Sequence, residues 1–205
     1  MTLTTILAQQ LVNGLVLGSF YALVALGYTM VFGVVKLLNF AHGDLYMVGA
    51  FTGLLALSAV AGTAGTSWVG VGLSILLAMI AVGFLGVVIE RIAYAPMLKA
   101  PRLSILITAL AVSLVLQNGV LTLSNGQVLA FSPRLGFAGI NLGAVFINYK
   151  QIVLAATAAV LMIALQLFVT RSQYGRAMRA VSIDKGMCEL MGIDVNRIIA
   201  VTFFI

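Results

Sequence analysis

Long apolar runs alternate with short polar stretches along the chain. Runs over roughly 6–35, 45–61, 68–89, 103–123 and 151–169 are mostly apolar, and another opens at 198–205. A membrane-spanning helix takes roughly 20 such residues. The runs are continuous rather than alternating, which favours helices over a barrel. The pattern predicts an all-α integral membrane protein: a polytopic helical bundle with five spans and the start of a sixth. The first run is longer than a bilayer needs, so it is tilted, partly re-entrant, or begins with an interfacial turn. The last stops too soon to cross, so the chain reads as the N-terminal part of something longer.

One polar interruption stands out. Asn39-Phe40-Ala41-His42-Gly43-Asp44 lies between the first two runs. Polar and ionisable groups at membrane depth are costly and usually functional. Two readings fit: a turn at the membrane surface, or a break in a discontinuous helix lining a pathway, tolerated where the backbone is buried in protein or faces water. His42 next to Asp44 is either a hydrogen-bonding group for helix-end backbone or a proton relay. Within the fourth run, Gln117 and Asn118 point about 100° apart on a helix. They serve interhelical hydrogen bonding or substrate contact. Gly14-x-x-x-Gly18 in the first run and Gly49-x-x-x-Gly53 in the second are spacings at which small residues let helices approach closely.

Composition fits the pattern. The chain is 62% hydrophobic and 8% charged, with mean hydropathy +1.18. A soluble domain carries roughly 25% charged residues, so this chain cannot cover a water-facing surface. Its net charge of +6 sits in loops flanking apolar runs and does not indicate nucleic-acid binding. The single cysteine, Cys188, excludes an internal disulfide. Met1 to Thr5 carries no basic residue, and the run behind it is too long for a cleaved signal.

Charge also predicts orientation. Loop 90–102 holds Arg91, Lys99 and Arg102, and segment 171–197 holds Arg171, Arg176, Arg179, Lys185 and Arg197. Loop 62–67 has no Lys or Arg, and loop 124–150 has only Arg134 and Lys150. The positive-inside rule therefore places 90–102 and 171–197 in the cytoplasm. Segment 124–150 carries Ser132-Pro133-Arg134 and several glycines, and is read as a hairpin or a re-entrant element.

The most polar stretch is 171–197. Read as one helix over 174–192, it places Ala177, Ala180, Ile183, Met187, Leu190 and Met191 on one arc, with Arg179, Ser182, Lys185 and Glu189 opposite. Asp184 intrudes on the apolar arc, and Gly192 stands where a helix stops. Such an arc is covered by headgroups or the protein's own core, or by a docked partner. No Gly-x-x-x-x-Gly-Lys-Ser/Thr loop is present, so no nucleotide site of that type is expected. One histidine and one cysteine, far apart, make neither a metal site nor a Cys/His nucleophile. Pathway-like polar residues without an energy source point to a pore subunit driven by another protein.

Gly14-Leu15-Val16-Leu17-Gly18-Ser19-Phe20-Tyr21-Ala22-Leu23, Gly27, and Asn39 through Met47 resemble the permeases of bacterial ABC importers for branched-chain amino acids. Glu90-Arg91-Ile92-Ala93-Tyr94-Ala95-Pro96, Leu114 to Asn118, and Gly175-Arg176-Ala177 through Gly192-Ile193 are similar to the same family. The resemblance implies a multi-pass protein of the bacterial inner membrane, without catalytic residues, metal or cofactor of its own. Its implied partners are a homologous second permease, two cytoplasmic ATP-binding subunits that use the ATP, and an extracytoplasmic amino-acid-binding protein. Asn39, His42, Asp44, Gln117 and Asn118 are then candidates for the substrate pathway. Arg176, Arg179, Asp184, Met187, Cys188 and Gly192 are candidates for coupling to the ATPase. The family's Glu-Ala-Ala, three residues, Gly pattern is met at Gly192 but reads Gly186-Met187-Cys188 before it. The wider family also moves urea, short amides and other amino acids. A stand-alone channel or secondary carrier is the rival from another class, and a non-transporting scaffold is a third.

Overall fold

The computed structural model describes residues 3–36, 38–64, 68–97, 100–129, 139–141 and 146–205. The Ser132–Arg134 stretch lies outside them. Among the described residues, five helices are long and apolar enough to cross a membrane. They are α1 (Leu3–Val35), α2 (His42–Ala64), α3 (Trp68–Ile89), α4 (Arg102–Leu123) and α5 (Tyr149–Arg171). A short antiparallel hairpin, β1 (Gly139–Asn141) and β2 (Phe146–Asn148), precedes α5. Three shorter helices follow: α6 (Gln173–Ile183), α7 (Lys185–Leu190) and α8 (Val195–Phe204). The expected helical bundle is present. The hairpin answers one of the two expectations for 124–150.

The chain divides into two compact units. One holds residues 1–29 and 136–176, the other 30–135 and 177–205.

In the first unit, polar side chains tie α1, the hairpin and α5 together. Gln9 Nε2 donates to the Phe146 carbonyl at 3.0 Å, and Gln9 Oε1 accepts from the Phe146 N–H at 2.8 Å. The Gln9 amide thus satisfies one exposed rung of a strand edge. Asn13 Oδ1 accepts from both Gln9 Nε2 at 3.2 Å and Gln151 Nε2 at 3.1 Å. Asn148 caps α5: its Oδ1 accepts from the Lys150 N–H, and its own N–H donates to Gln151 Oε1. This is the reciprocal arrangement that satisfies two orphan helix-end donors.

In the second unit, α2 packs antiparallel against α3. Gly49 faces Val82 and Gly53 faces Ala78 at ordinary van der Waals range. Helix α3 does not stop at Glu90-Arg91. It widens into a π-turn over Glu90–Tyr94 and tightens into a 3₁₀ turn over Ala95–Met97. Pro96 explains this: it lacks an N–H and crowds the preceding turn, so the helix changes pitch before ending. Helices α3 and α8 also pack closely. A side chain on Gly83 would meet the Phe204 carbonyl at 2.7 Å, and one on Gly86 would collide with the Phe203 carbonyl. By contrast, Gly14 and Gly18 have nothing within 4 Å, so that motif packs against no described residue.

Candidate functional site

Helix α1 ends where Lys36 takes a left-handed conformation, φ 58°. The polar stretch then turns the chain into α2. Asn39 shapes this turn: its Oδ1 accepts from the Ala41 N–H at 3.1 Å, and its carbonyl accepts from the His42 N–H at 3.2 Å. Asn39 is 4% exposed, so a polar side chain has been taken fully inside. The same Oδ1 accepts from the Tyr94 hydroxyl at 2.7 Å. Tyr94 is itself 2% exposed, in the π-turn after α3. π-turns inside helices often mark functional places.

One turn further on, Asp44 reaches across to α4. Its Oδ1 accepts from Gln117 Nε2 at 2.9 Å, and its Oδ2 accepts from the Ser113 hydroxyl. Gln117 Nε2 also approaches Ser113 Oγ at 3.2 Å. Ser113 is the midpoint of the apolar run Leu103–Leu123, roughly 15 Å from either end at 1.5 Å per residue. Helix α2 therefore begins beside the middle of α4, while its Gly49–Val82 and Gly53–Ala78 pairs set the same start near the end of α3. Asp44 also stands in the first turn of α2, where the orphan backbone N–H groups and the helix dipole favour a negative charge.

Of the five pathway candidates, Asp44 and Gln117 meet directly and Asn39 lies in the turn that leads to Asp44. His42 opens α2 and is half-buried. Asn118 is not brought in: its Nδ2 bonds back to the Leu114 carbonyl of its own helix at 2.7 Å. Ser113 and Tyr94 were not singled out as site residues from sequence. The signal for Ser113 was its i, i+4 spacing to Gln117 on one helix face.

The expected single helix over 174–192 is two helices. Asp184 breaks it at φ −146°, and its Oδ1 caps α7 by accepting from the Met187 N–H at 3.1 Å. A carboxylate on an apolar arc is thus a cap between two helices. Gly192, φ 80°, ends α7: its N–H donates to the Glu189 carbonyl and the Ile193 N–H donates to the Cys188 carbonyl. This closes the helix in the expected left-handed way. The buried side chains are Met178, Val181 and Cys188. Of the arc predicted from sequence, Ala177 and Ala180 are half-buried, while Ile183 at 81%, Met187 at 57%, Leu190 at 84% and Met191 at 78% are exposed. Arg176 Nη1 donates to the Arg171 carbonyl at 3.2 Å, and Arg179 is exposed. Lys185 turns inward, and its Nζ donates to the Val35 carbonyl, at the end of α1, at 3.3 Å. Burial and the nearby Lys36 charge, in that order, hold the Lys185 ammonium below its usual pKa.

Long apolar helices, a polar turn between the first two and an amphipathic helical elbow define a multi-pass α-helical membrane protein. The chain belongs to the family described as the permease component of the branched-chain amino acid transport system, whose model matches residues 10–205. It is 41% identical over 205 residues to the high-affinity branched-chain amino acid transport system permease protein BraD of Pseudomonas aeruginosa. It is 38% identical over 209 residues to LivH of Salmonella typhimurium and 37% over 203 residues to LivH of Escherichia coli, permease proteins of the same description. Each match covers 96% of this chain and 66% of the relative, so the chain spans just under two thirds of their length. No solved structure matches it.

Proposed function

We propose that this protein is a membrane-spanning permease subunit of an ABC importer for branched-chain, hydrophobic amino acids, set in a bacterial inner membrane. The observation that carries the reading is Asp44, held by Ser113 and Gln117 at the midpoint of an apolar helix. A carboxylate at that level is costly unless it serves a passing ligand or a gate. An amino acid offers an ammonium group for Asp44 to attract, and a branched aliphatic side chain suits the apolar helices around it. Asn39 and His42 lie at the turn that leads to Asp44.

The elbow of α6 and α7 supplies coupling. Ile183 at the end of α6, with Met187, Leu190 and Met191 on and just after α7, forms an exposed apolar surface that lies in a groove of a partner. Arg176 and Arg179 flank it, while Cys188 and the Asp184 and Gly192 caps hold its shape. The partner is a cytoplasmic ATP-binding subunit, one of two. A homologous second permease completes the pore, and an extracytoplasmic binding protein delivers the amino acid. The elbow and loop 90–102 then face the cytoplasm. This chain hydrolyses nothing, and ATP is used by its partners.

The test is reconstitution of the full-length protein with these partners in proteoliposomes. Leucine uptake is expected only with ATP and both ATP-binding subunits, and excess isoleucine or valine suppresses it. Uptake by the chain without partners would instead define a secondary carrier. Suppression by urea or a short amide, but not by isoleucine, would move the substrate class.

A further inference from the structure

We propose that Tyr94 is a positioning residue that couples the elbow to the polar turn, acting through Asn39. The inference rests on the importer reading above. The turn between α1 and α2 is held from two directions, both leading back to the elbow. At its start, Lys185 of α7 donates to the Val35 carbonyl. At its centre, the Tyr94 hydroxyl donates to Asn39 Oδ1 at 2.7 Å. The Tyr94 ring lies 5.3 Å from the Phe203 ring of α8, and α8 follows α7 after residues 191–194. The α8 backbone cannot slide freely, because the Phe203 and Phe204 carbonyls sit against Gly86 and Gly83 of α3.

A displacement of α7 is thus transmitted along α8 to Phe203, and from there to Tyr94. The Tyr94 side chain has one polar atom, and that atom holds Asn39, which shapes the turn into α2 five residues before Asp44. Asn39 Oδ1 accepts from Tyr94 and from the Ala41 N–H at once. Moving the hydroxyl therefore moves the start of α2. The π-turn suits this role, since its wider backbone tolerates repacking better than a regular helix. Contact alone does not establish coupling; a mutant cycle does.

The experiment uses the full-length permease in its complete complex and measures leucine uptake and ATP hydrolysis together. Tyr94→Phe keeps the ring and removes only the hydroxyl. Uptake per ATP is expected to fall about fivefold, the worth of one hydrogen bond near 1 kcal/mol, while hydrolysis stays within about twofold of wild type. Phe203→Leu, which loosens the other end, is expected to give the same split. Asn39→Ala alone is expected to lower uptake, because it also strands the Ala41 N–H, and adding Tyr94→Phe to Asn39→Ala is expected to cost no further uptake, since the hydroxyl then has no partner to hold. An unchanged ratio in both single variants, beside normal wild-type uptake, would overturn the proposal and leave the importer reading standing. Parallel loss of uptake, hydrolysis and folded protein in both would also overturn it, since that is a merely structural role. Wild-type complex that fails to take up leucine would overturn the importer reading and this inference with it.

Discussion

Two polar networks cross the apolar helices, one in each unit, and they differ in kind. The first joins Gln9, Asn13, Gln151 and Asn148 to the Phe146 backbone. Every member is a neutral amide, and the contacts end on a strand edge and a helix cap. The second joins Asp44 to Ser113 and Gln117 midway along α4. Its acceptor is a carboxylate with lone pairs to spare. The first is the usual solution for backbone that has no water to bond. The second keeps a charge where satisfying backbone does not require one. Polar residues inside apolar helices are therefore not a single class, and charge separates the amide network from the Asp44 network.

The largest effect expected is at Asp44. Asp44→Leu removes the charge and strands Gln117 and Ser113, so leucine uptake by the reconstituted complex falls at least about tenfold, a loss of roughly 1.4 kcal/mol. Asp44→Asn keeps the side-chain shape but not the charge: its oxygen still accepts from Gln117, while its amide N–H₂ must donate to the Ser113 hydroxyl where the carboxylate accepted. Uptake that survives Asp44→Asn at the wild-type rate would reduce the second network to the status of the first.

Next comes packing. Gly86→Ala sets a methyl group against the Phe203 carbonyl. Overpacking of this type costs about 1–3 kcal/mol, read as a lower unfolding midpoint of the purified protein. Gly14→Ala meets nothing within 4 Å and exchanges glycine for a better helix former, a change of at most about 1 kcal/mol in the favourable direction. Equal midpoints for the two variants would refute the packing contrast.

The spans were legible in the sequence because a bilayer demands a run length that nothing else in this chain imitates. The expected 6–35, 103–123 and 151–169 lie inside α1, α4 and α5, with ends shifted by a few residues. Partner choice was not legible. Gln117 and Asn118 are neighbours, and spacing says only that they diverge; which of them faces α2 depends on how α4 is rotated. The same holds for glycine. Gly14-x-x-x-Gly18 fits the familiar spacing but faces none of the described residues within 4 Å, whereas Gly83 and Gly86, three apart, carry the close approach of α3 to α8. Gln9 and Asn13 form an i, i+4 polar pair on an apolar helix and were readable as a face with a polar partner. Asp184 failed differently: its chemistry is that of a cap, but a continuous helical period hid the break.

The amide network yields a smaller, purely structural effect. Gln9→Leu removes two bonds to Phe146, worth about 0.6 kcal/mol each on average in a membrane protein. The unfolding midpoint falls slightly, and uptake per folded complex is unchanged. A selective loss of uptake with an unshifted midpoint would place Gln9 in the pathway and erase the distinction between the networks.

Titration gives the finest separation. Gln9, Asn13, Asn148 and Gln151 have no proton to lose, so alkaline pH leaves their contacts alone. Lys185 in the second unit does titrate, and its pKa in the folded protein lies below the usual 10.5. In mildly alkaline solution both the folded and unfolded forms hold the proton, and the folded form bears the cost of a charge that is partly buried and beside Lys36. As pH rises through the lowered pKa, the folded form releases its proton first. The unfolded chain then binds more protons, so stability rises with pH. The rise ends above 10.5, where both forms are neutral, and the neutral amine still donates to the Val35 carbonyl. Lys185→Gln removes this titration, so the stability of wild type relative to the variant is expected to climb between the two pKa values and then level off. Following thermal unfolding of both proteins over that range isolates Lys185 from the tyrosines they share. A flat difference would mean that the ammonium is fully hydrated and that the elbow is not anchored to the end of α1.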